Sequence, residues 1–266
     1  MPEAGIPMTE PKIGVSMLYC LAGPFNKMVQ QIPQTGTKYV EVVDDGLHTL
    51  NKRRVQQLKE LGESHGLEFT VHAPFAGINI STPSRLLLNA TLKRLKQSIV
   101  HASKLECRLW AFHPAMKTGI SMFYPGRDWT RNLESVKLLL RFAREYNVKP
   151  AIENVMEPFV MKTAEDFKRF YTELNEDVDM VLDTGHAHLY GELDNFLTEL
   201  PDRIVHMHVH DNDGKSDRHL GVGYGSINWN RFSVLARKSG REGVAVVESV
   251  EHVKESAAKL KQLLSS

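Results

Sequence analysis

Eight short apolar runs, separated by stretches of helical spacing, constrain this chain more than any other feature. They read as strands at Ile13–Leu18, Tyr39–Asp44, Glu68–His72, Arg108–His113, Pro150–Asn154, Met180–Asp183, Ile204–His210 and Val244–Glu248. Each is rich in β-branched or aromatic residues, as suits a strand buried on both faces. The stretches between them carry apolar residues three and four apart. Val55, Leu58 and Leu61 mark one, Leu88, Leu92, Leu95 and Ile99 another. Val136, Leu139, Leu140 and Ala143 mark a third, and Ala257, Leu260, Leu263 and Leu264 the last. Thr163 is placed to cap the helix after it, and Asp128 or Thr130 the helix that starts near Asn132. Gly62 and Gly66 fall where the second helix should stop.

Alternating strands and helices fit an open doubly wound sheet or a closed barrel. The polar residues separate the two. His72, His113, Glu153, Asp183, His186, His208, Asp217, His219 and Glu248 each lie at, or just beyond, the C-terminal end of a strand. An open sheet gathers its site at one switch point between neighbouring strands. Only a closed ring brings the ends of the third to eighth strands together. The expected fold is therefore a single (β/α)₈ TIM barrel over residues 13–266, a size typical of one such domain. Residues 1–12, rich in proline, glycine and acid, are expected to be a flexible leading segment.

Composition removes several function classes. The formal net charge is +1, so no overall field steers the chain to nucleic acid or an acidic membrane. Cys20 and Cys107 form no spaced pair and suggest a reduced compartment without a disulfide framework. The start MPEAGIPMTEPK lacks the basic and apolar regions of a signal peptide. No run approaches the roughly 20 apolar residues that cross a bilayer. The expectation is a soluble cytoplasmic protein, with a homodimer as one possible assembly.

The seventh strand and its loop, IVHMHVHDNDGKSDRHLGVGYGSINW, are the densest in chemistry. His206, His208 and His210 alternate and so share one face of a strand. They are either ligands or one or two hydrogen-bonded core histidines with the rest at the surface, because an unpaired buried imidazole is costly. In the loop, Asp217 and His219 flank Arg218 and can converge on one ion. The glycines at 221, 223 and 225 follow no strand–turn–helix pattern and do not form a phosphate loop. In VLDTGHAHLYGE, Asp183 and His186 either share an ion or Asp183 is a helix cap. His188 is expected behind the site or at the surface. His72 and His113 end apolar strands. Glu153 and Glu248 are acids at the ends of apolar strands, where a carboxylate needs a cation or several hydrogen bonds. Imidazoles and carboxylates without cysteine favour Zn, Mn, Fe or Co, with one to three ions per chain.

The motifs VHAPF, FHP, IEN, DTGH, HVHDNDGKSDRHLGVG and VVES resemble those of the xylose isomerase-like TIM barrels, which include sugar isomerases, sugar 3-epimerases and endonuclease IV. The resemblance runs from about Ile13 to the C-terminus. The epimerase branch implies one metal held by Glu153, Asp183, His208 and Glu248. Glu153 and Glu248 would then be the catalytic base and acid of a proton transfer on a small sugar-like substrate. Glu157 and Arg218 match that branch's further glutamate and arginine only approximately in spacing. Endonuclease IV implies a fuller set. His72, His113 and Glu153 would hold one metal, and Glu153, Asp183, His208 and Glu248 a second. His186, Asp217 and His219 would hold a third, suited to phosphodiester cleavage.

The recognition loops depart from endonuclease IV. Phe75 stands where that family has tyrosine, ENVMEPF replaces a glycine-rich continuation, and DDGLHTLNK lacks the DNA-inserting pattern. Its acids Asp44 and Asp45 would repel a DNA backbone, although Lys52, Arg53 and Arg54 follow. The leading expectation is thus a metal-dependent isomerase or epimerase of a sugar or sugar phosphate. The alternative is an endonuclease IV-like phosphodiesterase acting on abasic DNA. Arg218, Lys215, Phe75 and His210 are the expected substrate contacts. Phe123, Tyr124 and Trp129 are either pocket walls or ordinary core and surface aromatics.

Overall fold

A computed structural model describes residues 10–238 and 243–265 of the chain. Its strands are β1 (Lys12–Ser16), β2 (Tyr39–Val43), β3 (Glu68–His72), β4 (Trp110–Phe112), β5 (Pro150–Glu153), β6 (Asp179–Asp183), β7 (Ile204–Val209) and β8 (Val244–Val247). Each pairs in parallel with the next, and β8 pairs with β1, which closes the barrel. The expected (β/α)₈ architecture is therefore the observed one. Most of the flexible segment expected over 1–12 lies outside the described residues, and Lys12 already opens β1.

Several strands stop before the chemistry-bearing residue that was expected to end them. Asp44, His113, Asn154, His210 and Glu248 all sit one residue past a strand. A side chain there leaves the sheet at the rim and is free to turn towards the barrel axis. β1 ends at Ser16, short of the expected Leu18, because the Ser16 hydroxyl accepts the Leu18 N–H at 3.3 Å and starts a 3₁₀ turn.

The helices are α1 (Phe25–Gln31), α2 (Lys52–His65), α3 (Arg85–Lys104), α4 (Arg127–Glu145), α5 (Ala164–Leu174), α6 (Thr184–Leu189), α7 (Leu193–Glu199), α8 (Trp229–Lys238) and α9 (Val253–Ser265). Thr163 caps α5 as expected, in a reciprocal box with Asp166. Gly66 ends α2 with φ 63°. Gly62 does not stop α2. It lies inside the helix, where a Cβ would come within 2.9 Å of the Phe69 ring. α4 begins at Arg127, after Gly126 in the left-handed region, so neither Asp128 nor Thr130 is its cap. Both fall in the first turn, where the Asp128 carboxylate complements the helix dipole. Among the described residues, no helix is long and apolar enough to cross a membrane.

Alternation along the strands separates two interiors. Val40, Val42, Phe69, Val71, Trp110, Phe112, Ile152, Met180 and Leu182 pack outwards against the helices, in one large apolar shell. Trp129 belongs to that shell too, with its indole N–H donated to Glu173. The barrel interior holds two small clusters instead. One joins Leu109, Ala111, Ala151 and Val181, the other Tyr39, Val244 and Val246. Other inward positions carry Glu41, Thr70, His72, Glu153, Asp183, His206 and His208, all buried. A barrel axis lined with ionisable groups is costly to fold, and the top of the barrel shows how that cost is met.

Candidate metal centre

His72 comes from the end of β3, Glu153 from β5, Asp183 from β6 and His208 from β7. Glu248 follows β8, His113 follows β4, and His186 lies in the first turns of α6. Donor atoms of Glu153, Asp183, His208 and Glu248 all lie within 4.8 Å of one another. His208 Nδ1 is 3.3 Å from Glu153 Oε1 and 3.6 Å from Glu248 Oε2. The other Glu153 oxygen, Oε2, faces His113 Nε2 at 3.3 Å and His72 Nε2 at 3.4 Å. Glu153 is thus the hub between two sets of imidazoles.

A second group adjoins the first. His186, His210, Asp217 and His219 also offer donors within 4.8 Å of one another. Asp217 Oδ2 is 3.1 Å from His219 Nε2 and 3.4 Å from His186 Nε2. All the expected ligands therefore meet at one rim. His210, expected as a substrate contact, lies among them. Its Nε2 is 3.0 Å from Asp183 Oδ1, and its ring stacks on His219 at 4.0 Å. All three histidines of the row are buried and turned towards acids, so none of them stands at the surface.

The rings are held by partners behind them. His72 Nδ1 is 2.8 Å from the Ala73 carbonyl, His186 Nδ1 3.0 Å from that of Asn154, and His219 Nδ1 2.9 Å from that of Glu248. With Nδ1–H donated to these acceptors, each Nε2 faces the acids, the ring orientation that a carbonyl behind a metal-binding imidazole fixes. Asn154 also clamps two strand ends. Its amide donates to the Asp183 carbonyl at 3.0 Å and its oxygen accepts the Asp183 N–H at 2.7 Å.

Asp211, just past β7, builds the loop that delivers Asp217 and His219. Its buried carboxylate accepts from the Gly223 and Ile227 amides and from the Trp229 indole, at 3.0, 3.1 and 2.7 Å. Its own backbone pairs with Leu220 in both directions at 2.8 Å.

Charge explains why these groups tolerate burial. Desolvation opposes ionisation of Glu153, but the His208 and His113 imidazoles hold its carboxyl well below the usual range. Burial raises Glu248, and its neighbour Glu153 adds to the rise. Burial also opposes protonation of His72 and His219, yet Glu153 and Asp217 respectively raise them to about 9. At His113 burial outweighs Glu153, and the imidazole is shifted down. His72, His186, His208 and His219, all raised, are thus the cations of a cluster that requires positive charge. A divalent cation supplies it more compactly, and the donor set of N and carboxylate O suits one. Glu153 Oε2, His208 Nδ1, His210 Nδ1 and Asp217 Oδ1 are buried without a hydrogen-bond partner. Such atoms are rare unless an ion or water completes them, so the residues fit a metal.

Other expected contacts separate into near and far. Phe75 lies over the cluster, its ring 5.5 Å from His72 and 5.9 Å from His113. Arg218 and Lys215 sit exposed on the loop after β7, and the Arg218 guanidinium is 3.7 Å from Asp213. Glu157 pairs with Lys162 and Lys117. His188 lies outside the cluster, 2.8 Å from Ser226 Oγ. Phe123 and Tyr124 are exposed. Asp44 is buried against Arg94 at 2.7 Å, and Asp45 accepts the Phe75 and Ala76 amides at 2.8 and 2.7 Å. Those two acids organise their loop rather than present free charge to a partner.

The sequence reading passed over Glu41, Asn154 and Phe159, and counted Asp211 only among the acids of the loop after the seventh strand. Phe159 comes from the loop after β5 and meets His113 edge-on at 5.3 Å. Glu41 carried the same signal as Glu153 and Glu248, an acid in an apolar run, but it lies mid-strand.

The family model of the xylose isomerase-like TIM barrel matches residues 29–265. Among curated proteins, an uncharacterised protein of Methanocaldococcus jannaschii is 26% identical over 259 residues, 95% of this chain and 88% of that one. A probable endonuclease 4 of Aquifex aeolicus is 26% identical over 192 residues, 63% of this chain and 64% of that one. A solved D-tagatose 3-epimerase-like protein superposes with a TM-score of 0.87 at 25% identity, covering 96% of each chain.

Proposed function

Since the chain belongs to the xylose isomerase-like TIM barrel family, we propose that it is a divalent-metal-dependent isomerase or epimerase of a small sugar or sugar phosphate. The observation that carries this reading is the placing of Glu153 and Glu248 against one nitrogen of His208, at 3.3 and 3.6 Å. Two buried carboxylates on strands separated by β6 and β7 can address two sides of one carbon. Glu153 accepts a proton from the carbon beside a carbonyl, and Glu248 returns one to it. The likeness to a D-tagatose 3-epimerase-like protein supports the same chemistry.

Glu153, Asp183, His208 and Glu248 would hold the metal. When bound there, Zn, Mn, Fe or Co supplies charge neutralisation and polarises the adjoining substrate oxygens. Phe75 and Phe159 form an apolar wall beside His113 against which the carbon face of a sugar can pack. Arg218 and Lys215 are cations on the loop after β7, in reach of a phosphate or carbonyl oxygen if that loop folds inwards.

A second reading, an endonuclease IV-like phosphodiesterase on abasic DNA, draws on the ligands beyond the quartet. His72 and His113 on one flank, and His186, Asp217 and His219 on the other, provide for two further ions. The probable endonuclease 4 relative adds to it.

One experiment separates them. Metal per chain is measured on protein purified without added metal. The protein is then assayed on ketoses and ketose phosphates in heavy water, and on a duplex with one abasic site. Deuterium entering the sugar carbon, lost in Glu153→Gln, supports the first reading. Strand cleavage by protein carrying three ions, without sugar exchange, replaces it with the second.

A further inference from the structure

Below the cluster, deep in the barrel, the proposed chemistry leaves one carboxylate unused. Glu41 on β2 is fully buried. Its Oε2 is 3.1 Å from His206 Nε2 and accepts the Thr70 hydroxyl at 3.2 Å. His208 Nε2 lies 3.1 Å from Oε1 and 3.2 Å from Oε2. β2 and β7 are not neighbours, since β8 and β1 lie between them. The contact therefore crosses the barrel axis instead of following the sheet. Thr70 is the register partner of Glu41 on β3 and anchors the carboxylate from its own side.

The two nitrogens of His208 meet different surroundings. Nδ1 faces Glu153 and Glu248 and makes no hydrogen bond. Nε2 faces Glu41. An imidazole that gives one lone pair to a metal carries its proton on the other nitrogen, and the acceptor of that proton fixes the ring. Resting on the metal centre proposed above, we infer that Glu41 is the positioning residue for His208. It accepts the Nε2–H and so turns the Nδ1 lone pair towards the quartet. For His72, His186 and His219 a backbone carbonyl does this work. For His208 it is a carboxylate, which makes the ring a stronger donor. That ring is the one shared by both proposed proton-transfer glutamates.

The role requires a carboxylate, not merely a buried polar group. Glu41 Oε2 alone faces Nε2 of His206, Nε2 of His208 and the Thr70 hydroxyl, while Oε1 lies 3.1 Å from His208 Nε2 without a hydrogen bond. A glutamine of the same size keeps one acceptor oxygen but sets an NH₂ donor at the Oε1 place, against the His208 Nε2–H.

The test uses Zn²⁺ as probe, with affinity read by chelator competition and ions per chain by elemental analysis. Glu41→Gln is expected to weaken Zn²⁺ binding by about 10- to 100-fold, the usual loss for a partner behind a ligand, with the number of sites unchanged. Thr70→Val keeps the carboxylate and is expected to lose less. Unaltered affinity in a folded Glu41→Gln protein overturns the positioning role and leaves the metal centre standing. A wild-type protein that binds no Zn²⁺ overturns the metal centre, and the positioning role with it. One ion fewer in His206→Gln also overturns it, since Glu41, His206 and His208 would then be ligands of a separate ion.

Should Glu41→Gln not fold, the wild-type protein still decides the matter. With ¹¹³Cd in place of Zn and ¹⁵N-labelled histidine, His208 is expected to show coupling at Nδ1 and a proton at Nε2. Coupling at Nε2 overturns the assignment.

Discussion

The carboxylate of Asp183 caps the very helix that carries His186. Its Oδ1 accepts the His186 N–H at 2.7 Å, while Oδ2 lies 3.1 Å from His210 Nε2. The Asp-x-x-His motif allowed two readings, cap or ligand; the cap is present, and it leaves room for the other role. A side chain with two oxygens can satisfy a helix N-terminus with one and leave the other for the cluster.

That division predicts different outcomes for two substitutions. Asp183→Asn keeps an oxygen for the cap, whereas Asp183→Ala removes it. In the presence of a chelator, the alanine protein is expected to be about 1 kcal/mol less stable than the asparagine protein, a difference of about 2–4 °C in Tm. Both should lose Zn²⁺ affinity, by more than the roughly 100-fold typical of an outer partner. Calorimetry with and without chelator reads both effects. Tight Zn²⁺ binding by Asp183→Asn would exclude Asp183 as a ligand.

The barrel was legible in the sequence because strand period, strand number and the rim position of the polar residues agreed. The residues that gather at the rim were legible for the same reason: His72, Glu153 and His208 stand out in apolar strands. What supports them was not. Asn154 and Asp211 look like ordinary turn residues, and their importance arises from partners such as Asp183 and Trp229. Glu41 meets His208 across 167 positions of sequence, a pairing that no local pattern encodes. The caps of α4 failed differently, because the chain reaches it through Gly126 with φ 80° and no side-chain cap.

Stability should respond to pH in opposite ways with and without metal. His72 and His219 are raised from 6.5 to about 9 by Glu153 and Asp217, against the cost of burial. A raised folded pKa means that the native state binds more protons than the unfolded chain between those values. The metal-free protein therefore holds this stabilisation below about pH 6.5 and loses it as pH climbs through 9. Metal binding needs neutral imidazoles, so Zn²⁺ affinity is expected to rise over the same interval. Denaturant midpoints in chelator, compared with Zn²⁺ titrations from pH 6 to 9, should slope in opposite directions. Parallel slopes would remove these two imidazoles from the ligand set.

Asp211 should matter to the outer ligands without touching them. Asp211→Ala strands three buried donors, on Asn212, Ile227 and Trp229, and a more open one on Gly223. The expected cost is about 3 kcal/mol or more, a fall of about 6–12 °C in Tm. Because the same loop carries Asp217 and His219, ions bound there should be lost before the one held by Glu153, Asp183, His208 and Glu248. Elemental analysis of the folded variant checks the order of loss.

Phe75 tests the pocket rather than the chemistry. Its ring stands beside His72 and His113 and supplies an apolar face. Phe75→Ala is expected to raise KM for a sugar substrate by about 2- to 10-fold, from the 0.5–1.5 kcal/mol usual for such a contact. The value of kcat should change little, since no proton moves through the ring. An equal loss in kcat with unchanged KM would place Phe75 in positioning His72 or His113 instead.

Gly185, between Asp183 and His186, is small because His210 occupies the space where its side chain would be. A Cβ there would lie 2.0 Å from His210 Cε1 and 2.5 Å from Nδ1. The His210 ring has little room to retreat, since it stacks on His219 at 4.0 Å and is buried throughout. Gly185→Ala should therefore displace His210, break its 3.0 Å contact with Asp183 and push His219 off Asp217. An alanine within α6 would otherwise favour the helix by about 1 kcal/mol, so any stability lost reports the clash alone. The expected result is a folded barrel with a lower Tm, weaker binding of the ion at His186, Asp217 and His219, and near-normal binding at the inner quartet. Wild-type behaviour in both measurements would mean that His210 moves freely, and its place in the cluster would have to be given up.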